Sequence, residues 1–119
     1  MVLTSVPATS LTLLLPATER ITMIRHVTLF AWIPEATDEQ KQQVVTELMT
    51  LPPLLSGLRA FHIGPDAGIV EGNFDFAVVA DFDDADSYLG YRNHPAHREI
   101  IQRVTTPIAK ERVSVQYEI

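Results

Sequence analysis

A chain of 119 residues with 46% apolar and 20% charged residues reads as one globular domain, long enough to enclose a core and short enough for a second copy to add to its stability. Its 9 basic and 15 acidic residues give a formal charge of −6, which removes the broad basic surface that non-specific DNA or RNA binding needs. No apolar run approaches the length of a membrane span, and the lack of cysteine excludes disulfides, thiolate nucleophiles and thiolate metal sites while fitting a reducing cytoplasm.

Residues 1–22 are Thr- and Leu-rich, and their apolar patch Leu11 to Leu15 ends at Pro16 with no Lys or Arg before it, a poor match to a secretory signal. The expectation is a disordered extension in front of a domain over 23–119, because Met23-Ile24-Arg25-His26-Val27 has the character of an ordinary domain start and an upstream start codon is a natural error.

From Ile24 to Ile33 the β-branched and aromatic residues predict a strand. One face carries Ile24, His26, Thr28, Phe30 and Trp32, the other Arg25, Val27, Leu29, Ala31 and Ile33. Both faces are largely apolar, so something must cover the second one, either the rest of this small chain or another copy of it. Thr37 with Gln40 makes a capping-box pattern, and Val44, Val45, Leu48 and Met49 recur at helical spacing, predicting a helix over about 38–50 that stops before Pro52-Pro53. A turn at Ser56-Gly57 leads into a second strand over 58–64, and the Gly, Pro and Asp residues of 64–73 form a loop. The third strand spans 74–82, with Phe74, Phe76, Val78, Ala80 and Phe82 on one face.

Asp83 or Asp84 caps a short helix through about Tyr91, and the chain breaks at Asn93-His94 because Pro95 disfavours helical geometry at His94 while suiting the first position of a new helix. That helix runs to about Thr105, with Ile100, Ile101 and Val104 at its core spacing and Pro107 at its end. Val113, Val115 and Tyr117 alternate with Ser114, Gln116 and Glu118 in a final strand. The order is α+β, a split β-α-β-β-α-β in which helices cover one sheet face and the other is left for a symmetric partner, giving a homodimeric barrel.

The stretch richest in chemistry is Tyr91 to His97, where two imidazoles and a phenol able to move protons near neutral pH stand around one helix start. His97 shares a helical stripe with Ile100 and Ile101, and His26 shares a strand face with Thr28, Phe30 and Trp32, so an aromatic cavity between helix and sheet would gather His97, Tyr91 and His26. Thr28, Phe30, Tyr88 and His94 are the further candidates for ligand contact. Each has a plainer reading: a core histidine held by protein hydrogen bonds, a packing tyrosine, and a cap in the case of His94. His62 on the second strand fits the surface as well as the core. His94 and His97 stand three apart without a third ligand, so no metal site is expected, and no Gly-rich phosphate loop or nucleophile elbow occurs.

Arg25-His26-Val27, Leu58-Arg59 with Phe61 and Gly64, the strand over 74–82, and above all Tyr91-x-x-His94-Pro95-Ala96-His97 resemble the stress-responsive α/β-barrel (Dabb) family over essentially all of 24–118. The resemblance implies a ferredoxin-like fold that dimerises through its sheets, usually without a cofactor. One member, the plant polyketide cyclase forming olivetolic acid, closes a tetraketide thioester by aldol chemistry; its catalytic histidine falls on His97, its tyrosine on Tyr91 and its strand-one histidine on His26. Thr28 and Phe30 stand where that enzyme has aliphatic pocket residues. The expectation is a cytoplasmic dimer that binds a small hydrophobic or aromatic molecule, with cofactor-free cyclase, lyase or isomerase chemistry through His97. A cofactor-free monooxygenase of the antibiotic-biosynthesis type and a non-enzymatic stress-response dimer are the alternatives.

Overall fold

The computed structural model describes residues 22–119, so the expectation of a disordered extension falls almost wholly outside the described residues. Four strands, β1 (Ile24–Trp32), β2 (Leu58–Pro65), β3 (Phe76–Phe82) and β4 (Ala109–Glu118), form one antiparallel sheet in the order β2-β3-β1-β4. The helices are α1 (Asp38–Leu48), α2 (Ala85–Asn93) and α3 (Pro95–Ile100). This is the ferredoxin-like α+β arrangement expected from the pattern of elements.

Local chemistry explains the element ends. Thr37 accepts from the Gln40 N–H while the Gln40 side chain takes the Thr37 N–H, the reciprocal box that satisfies two donors at the start of α1. At the start of α2 it is Asp84 that caps, accepting from the Ser87 N–H at 2.8 Å. His94 is both the end of α2 and the cap of α3, extended at φ −61 and ψ 130 as the following proline demands.

Two boundaries differ from the sequence expectation. β3 begins at Phe76 rather than Phe74, because Asp75 bonds to β1 through both backbone and side chain: its N–H donates to Phe30 O and its carboxylate accepts from the Trp32 N–H at 2.7 Å. The last helix does not run unbroken to Thr105. After Ile100 it widens into a π-helical turn over Ile101–Thr105, where the Thr106 N–H reaches back to Ile101 O, and then tightens into a 3-10 turn over Thr106–Ile108. Pro107 has no N–H to continue an α-helix and its ring crowds the preceding turn, so the chain leaves the helix here and enters β4.

The helices lie over one sheet face. Val44 and Leu48 of α1, Tyr91 of α2, Ile100 of α3 and Val104 beyond it bury against Phe30, Phe76, Val78 and Phe82. Each fully buried aliphatic side chain here stabilises the fold by roughly 1.5–3 kcal/mol. The opposite face carries Arg25, Val27 and Leu29 of β1, Ala77, Val79 and Asp81 of β3, and Val113, Val115 and Tyr117 of β4. Among the described residues no helix covers it, and the last three are 45%, 54% and 46% exposed. Across this face Arg25 clamps Asp81 with two parallel bonds of 2.7 and 2.9 Å, which hold the Asp81 carboxyl below the usual carboxylate range.

Candidate functional site

Between helices and sheet, at the end where β4 runs past them, lies a cavity of about 290 Å³. His26, Thr28 and Phe30 come from β1, Val78 from β3, Tyr88, Tyr91 and Arg92 from α2, and His97 from α3. Arg112, Ser114 and Gln116 of β4 close it. Period-two geometry puts His26, Thr28 and Phe30 in a row on the helix side, and their register partners Gln116, Ser114 and Arg112 form the row beside them.

Of the three proton-moving candidates, Tyr91 stands next to both His97 and His26. The Tyr91 and His97 rings are 4.2 Å apart between centroids, and His26 is 5.6 Å from Tyr91 and 5.0 Å from Tyr88. Their environments differ. His97 is half-buried and its Nδ1–H donates to the Arg92 carbonyl oxygen at 3.3 Å. A carbonyl only accepts, so the proton of the neutral ring sits on Nδ1 and Nε2 keeps its lone pair. Burial lowers the pKa of His97 from its ordinary value, with the Arg112 charge acting the same way, so the ring is neutral at pH 7 and able to accept a proton. Tyr91 is buried, and burial raises its pKa, so the phenol stays protonated as a hydrogen-bond donor.

His26 is a different kind of group. The Gln116 amide donates to Nδ1 at 2.9 Å, so Nε2 carries the ring proton and donates to Thr28 Oγ1 at 2.8 Å. Burial, followed by the charges at His97 and Arg112, pushes its pKa down to about 4. With both nitrogens engaged, His26 is placed to position Thr28, whose hydroxyl proton is then free to point elsewhere. Of the two roles open to His26, orienting or polarising a ligand, direct polarisation does not fit an imidazole with both nitrogens engaged by protein groups.

His94 is likewise corrected. It does not line the cavity; its Nδ1 accepts from the Ala96 N–H at 3.0 Å, and it borders a separate depression beside Leu54 and Asp84. Thr28, Phe30 and Tyr88 do line the cavity. His62 is exposed on the uncovered sheet face, in register with Val79. Sequence reasoning missed Arg92, Arg112 and Gln116. The polar alternation of Ser114 and Gln116 with Val113 and Val115 was the available signal, and it resembles an ordinary wet strand face. Among the described residues no group of three or more His, Asp or Glu is placed to hold a metal ion, and no helix is long and apolar enough to cross a membrane.

No curated protein sequence matches the chain. Among solved structures, a dimeric ferredoxin-like protein of unknown function from Thermobifida fusca is 40% identical, covering 82% of this chain and 92% of its own, with a TM-score of 0.77. A Dabb family protein with a ferredoxin-like fold from Mesorhizobium loti is 18% identical over 81% of this chain and 95% of its own, at a TM-score of 0.68. The hydroxynitrile lyase of Passiflora edulis shares the fold at 18% identity over 82% of this chain and 93% of its own, at a TM-score of 0.71. Residues 24–119 match the family described as Stress Responsive A/B Barrel Domain, Dabb, and the chain therefore belongs to that family.

Proposed function

We propose that the protein is a cytoplasmic homodimer that binds a small aromatic or apolar carbonyl compound in this cavity and uses His97 as a cofactor-free general base. The observation that carries the reading is the placement of His97: its Nδ1 is tethered to the Arg92 carbonyl, which leaves Nε2 of the neutral ring unprotonated, and the ring lies against the protonated Tyr91 in a cavity with both apolar and polar walls. In this mechanism Nε2 takes a proton from the carbon next to a carbonyl, and the electron pair moves onto the carbonyl oxygen. Tyr91 donates a hydrogen bond to the resulting enolate. The enolate carbon then attacks a second carbonyl, forming the carbon–carbon bond of an aldol closure, and His97 returns its proton to the new alkoxide. The dimer reading is supported by the apolar, uncovered sheet face and by the dimeric Thermobifida fusca relative.

Deuterium exchange at the α-carbon of phenylacetone in D2O, followed by NMR, tests the base. Wild type should accelerate exchange, His97→Gln should lower the acceleration by about 10²–10⁴-fold, and Tyr91→Phe should lower it less, by roughly tenfold to a hundredfold, with thermal unfolding little changed in either. Exchange unaffected by His97→Gln removes the base. A large loss of melting temperature with unchanged ligand binding would instead assign His97 to the scaffold. Binding of phenylacetone without accelerated exchange favours the non-enzymatic binding dimer.

A further inference from the structure

The chain carries an excess of acid, yet among the described residues those that line the spaces around His97 are cationic or neutral. Arg25, Arg59 and Arg103 are each paired with Asp or Glu. Arg92, in the last turn of α2, and Arg112, in register with Phe30 on β4, form no ion pair among the described residues. Both line the cavity, and both also border the groove that continues from it past His97 and Arg98. Among the described residues no Asp or Glu lines either space.

Two guanidiniums lining one space without a carboxylate partner repel one another, whereas an oxyanion matches the guanidinium fork with two parallel hydrogen bonds. Burial is the main cause that lowers the proton affinity of His26 and His97, and the nearby Arg112 charge acts in the same direction on both. Deeper in, Phe30, Leu48, Val78 and Tyr91 present mainly apolar surface. We propose that the ligand is amphipathic, with an apolar body inserted against Phe30 and Val78 and an oxyanion, a carboxylate or a phosphate, held at the mouth by Arg92 and Arg112. This rests on the reading that the cavity is the ligand site, but it does not require His97 to act as a base.

The test is calorimetric titration of the full chain with cinnamate, its neutral amide cinnamamide, and phenyl phosphate at about pH 8, where both cavity histidines are neutral and any preference for charge comes from arginine. Cinnamate should bind at least about tenfold more tightly than cinnamamide, and added salt should shrink the difference. The double variant Arg92→Met/Arg112→Met keeps the long apolar stems and should bind cinnamate no better than cinnamamide. Phenyl phosphate binding more tightly than cinnamate marks phosphate as the head group, and the reverse order marks carboxylate. Equal binding of cinnamate and cinnamamide, with phenyl phosphate no tighter, overturns the inference, as does a charge preference that survives in the double variant. Failure of all three probes to bind overturns the cavity reading with it. A charge preference retained in His97→Gln, in a protein that shows no deuterium exchange, upholds the anion site while removing the base.

Discussion

His26 shows how a single buried side chain ties a site to stability. The residue is 6% exposed, its ring is hydrogen-bonded at both nitrogens, and its pKa is lowered to about 4 from the ordinary 6.5, first by burial and then by His97 and Arg112. In the unfolded chain the ring takes up a proton as pH falls through 6.5, while in the folded protein it stays neutral until about 4. Between those values the unfolded state binds more protons, so the stability contributed by neutral His26 is fully present above 6.5 and is lost as pH falls toward 4. The expected loss is about 2 kcal/mol, below the full ~1.4 kcal/mol per pH unit because the cavity opens to water. Denaturant unfolding of wild type across this window, compared with His26→Gln, checks it: the variant should lose distinctly less. Equal losses would place the pH sensitivity elsewhere. From the sequence, His26 was legible as a strand residue facing the helices, but its proton-binding state was not, because that depends on the packing that buries it and on His97 and Arg112, both far away along the chain.

At the scale of elements, the turn before β2 links local backbone geometry to the placement of α2. Gly57 has φ +78, a left-handed conformation that residues with a Cβ rarely adopt, and its carbonyl accepts from the Asp83 N–H at 2.9 Å. A Cβ at this position would also collide with the Ser87 side chain in the first turn of α2. Gly57→Ala should therefore destabilise the protein by roughly 1–3 kcal/mol, through backbone strain and displacement of the helix that carries Tyr88, Tyr91 and Arg92. Thermal unfolding reads the stability, and weakened cinnamate binding reads the displacement; a variant with wild-type melting and binding would show that α2 is held by its core contacts alone. Ser56-Gly57 was recognisable as a turn because such punctuation is written in adjacent residues. The clash with Ser87 was not, since it arises only when α2 packs across the end of β2.

For the whole molecule, the unevenness of the two sheet faces dominates. One face is sealed by helices, while the other exposes Val113, Val115 and Tyr117 beside the half-buried Val27, Leu29 and Val79. An apolar face of this kind invites a second copy about a two-fold axis. A charge at its centre should block that association without touching the cavity on the opposite side, so Val79→Glu should elute as a monomer under conditions where the wild-type chain is a dimer. Light scattering distinguishes the two states. A wild-type protein that remains monomeric at micromolar concentration would remove the dimer, and a dimeric Val79→Glu would move the interface to another surface.

The order β-α-β-β-α-β, the Thr37–Gln40 box, a cap at Asp83 or Asp84, the break before Pro95 and the two apolar faces of β1 were all determined by the sequence alone. Each is set by residues within a few positions of one another or by a simple period of two or 3.6. The tertiary structure decided what sits opposite what. Strand order places β4 beside β1, so Gln116 meets His26, Ser114 meets Thr28 and Arg112 meets Phe30. Alternation in β4 separates Val113, Val115 and Tyr117 from Arg112, Ser114 and Gln116, but a period of two does not say which set faces the helices. Here the polar set lies on the helix side and lines the cavity, while the apolar set lies on the uncovered face. β4 is an edge strand that the helices only partly overlie, so its helix-side residues border an open, polar cavity instead of a closed core.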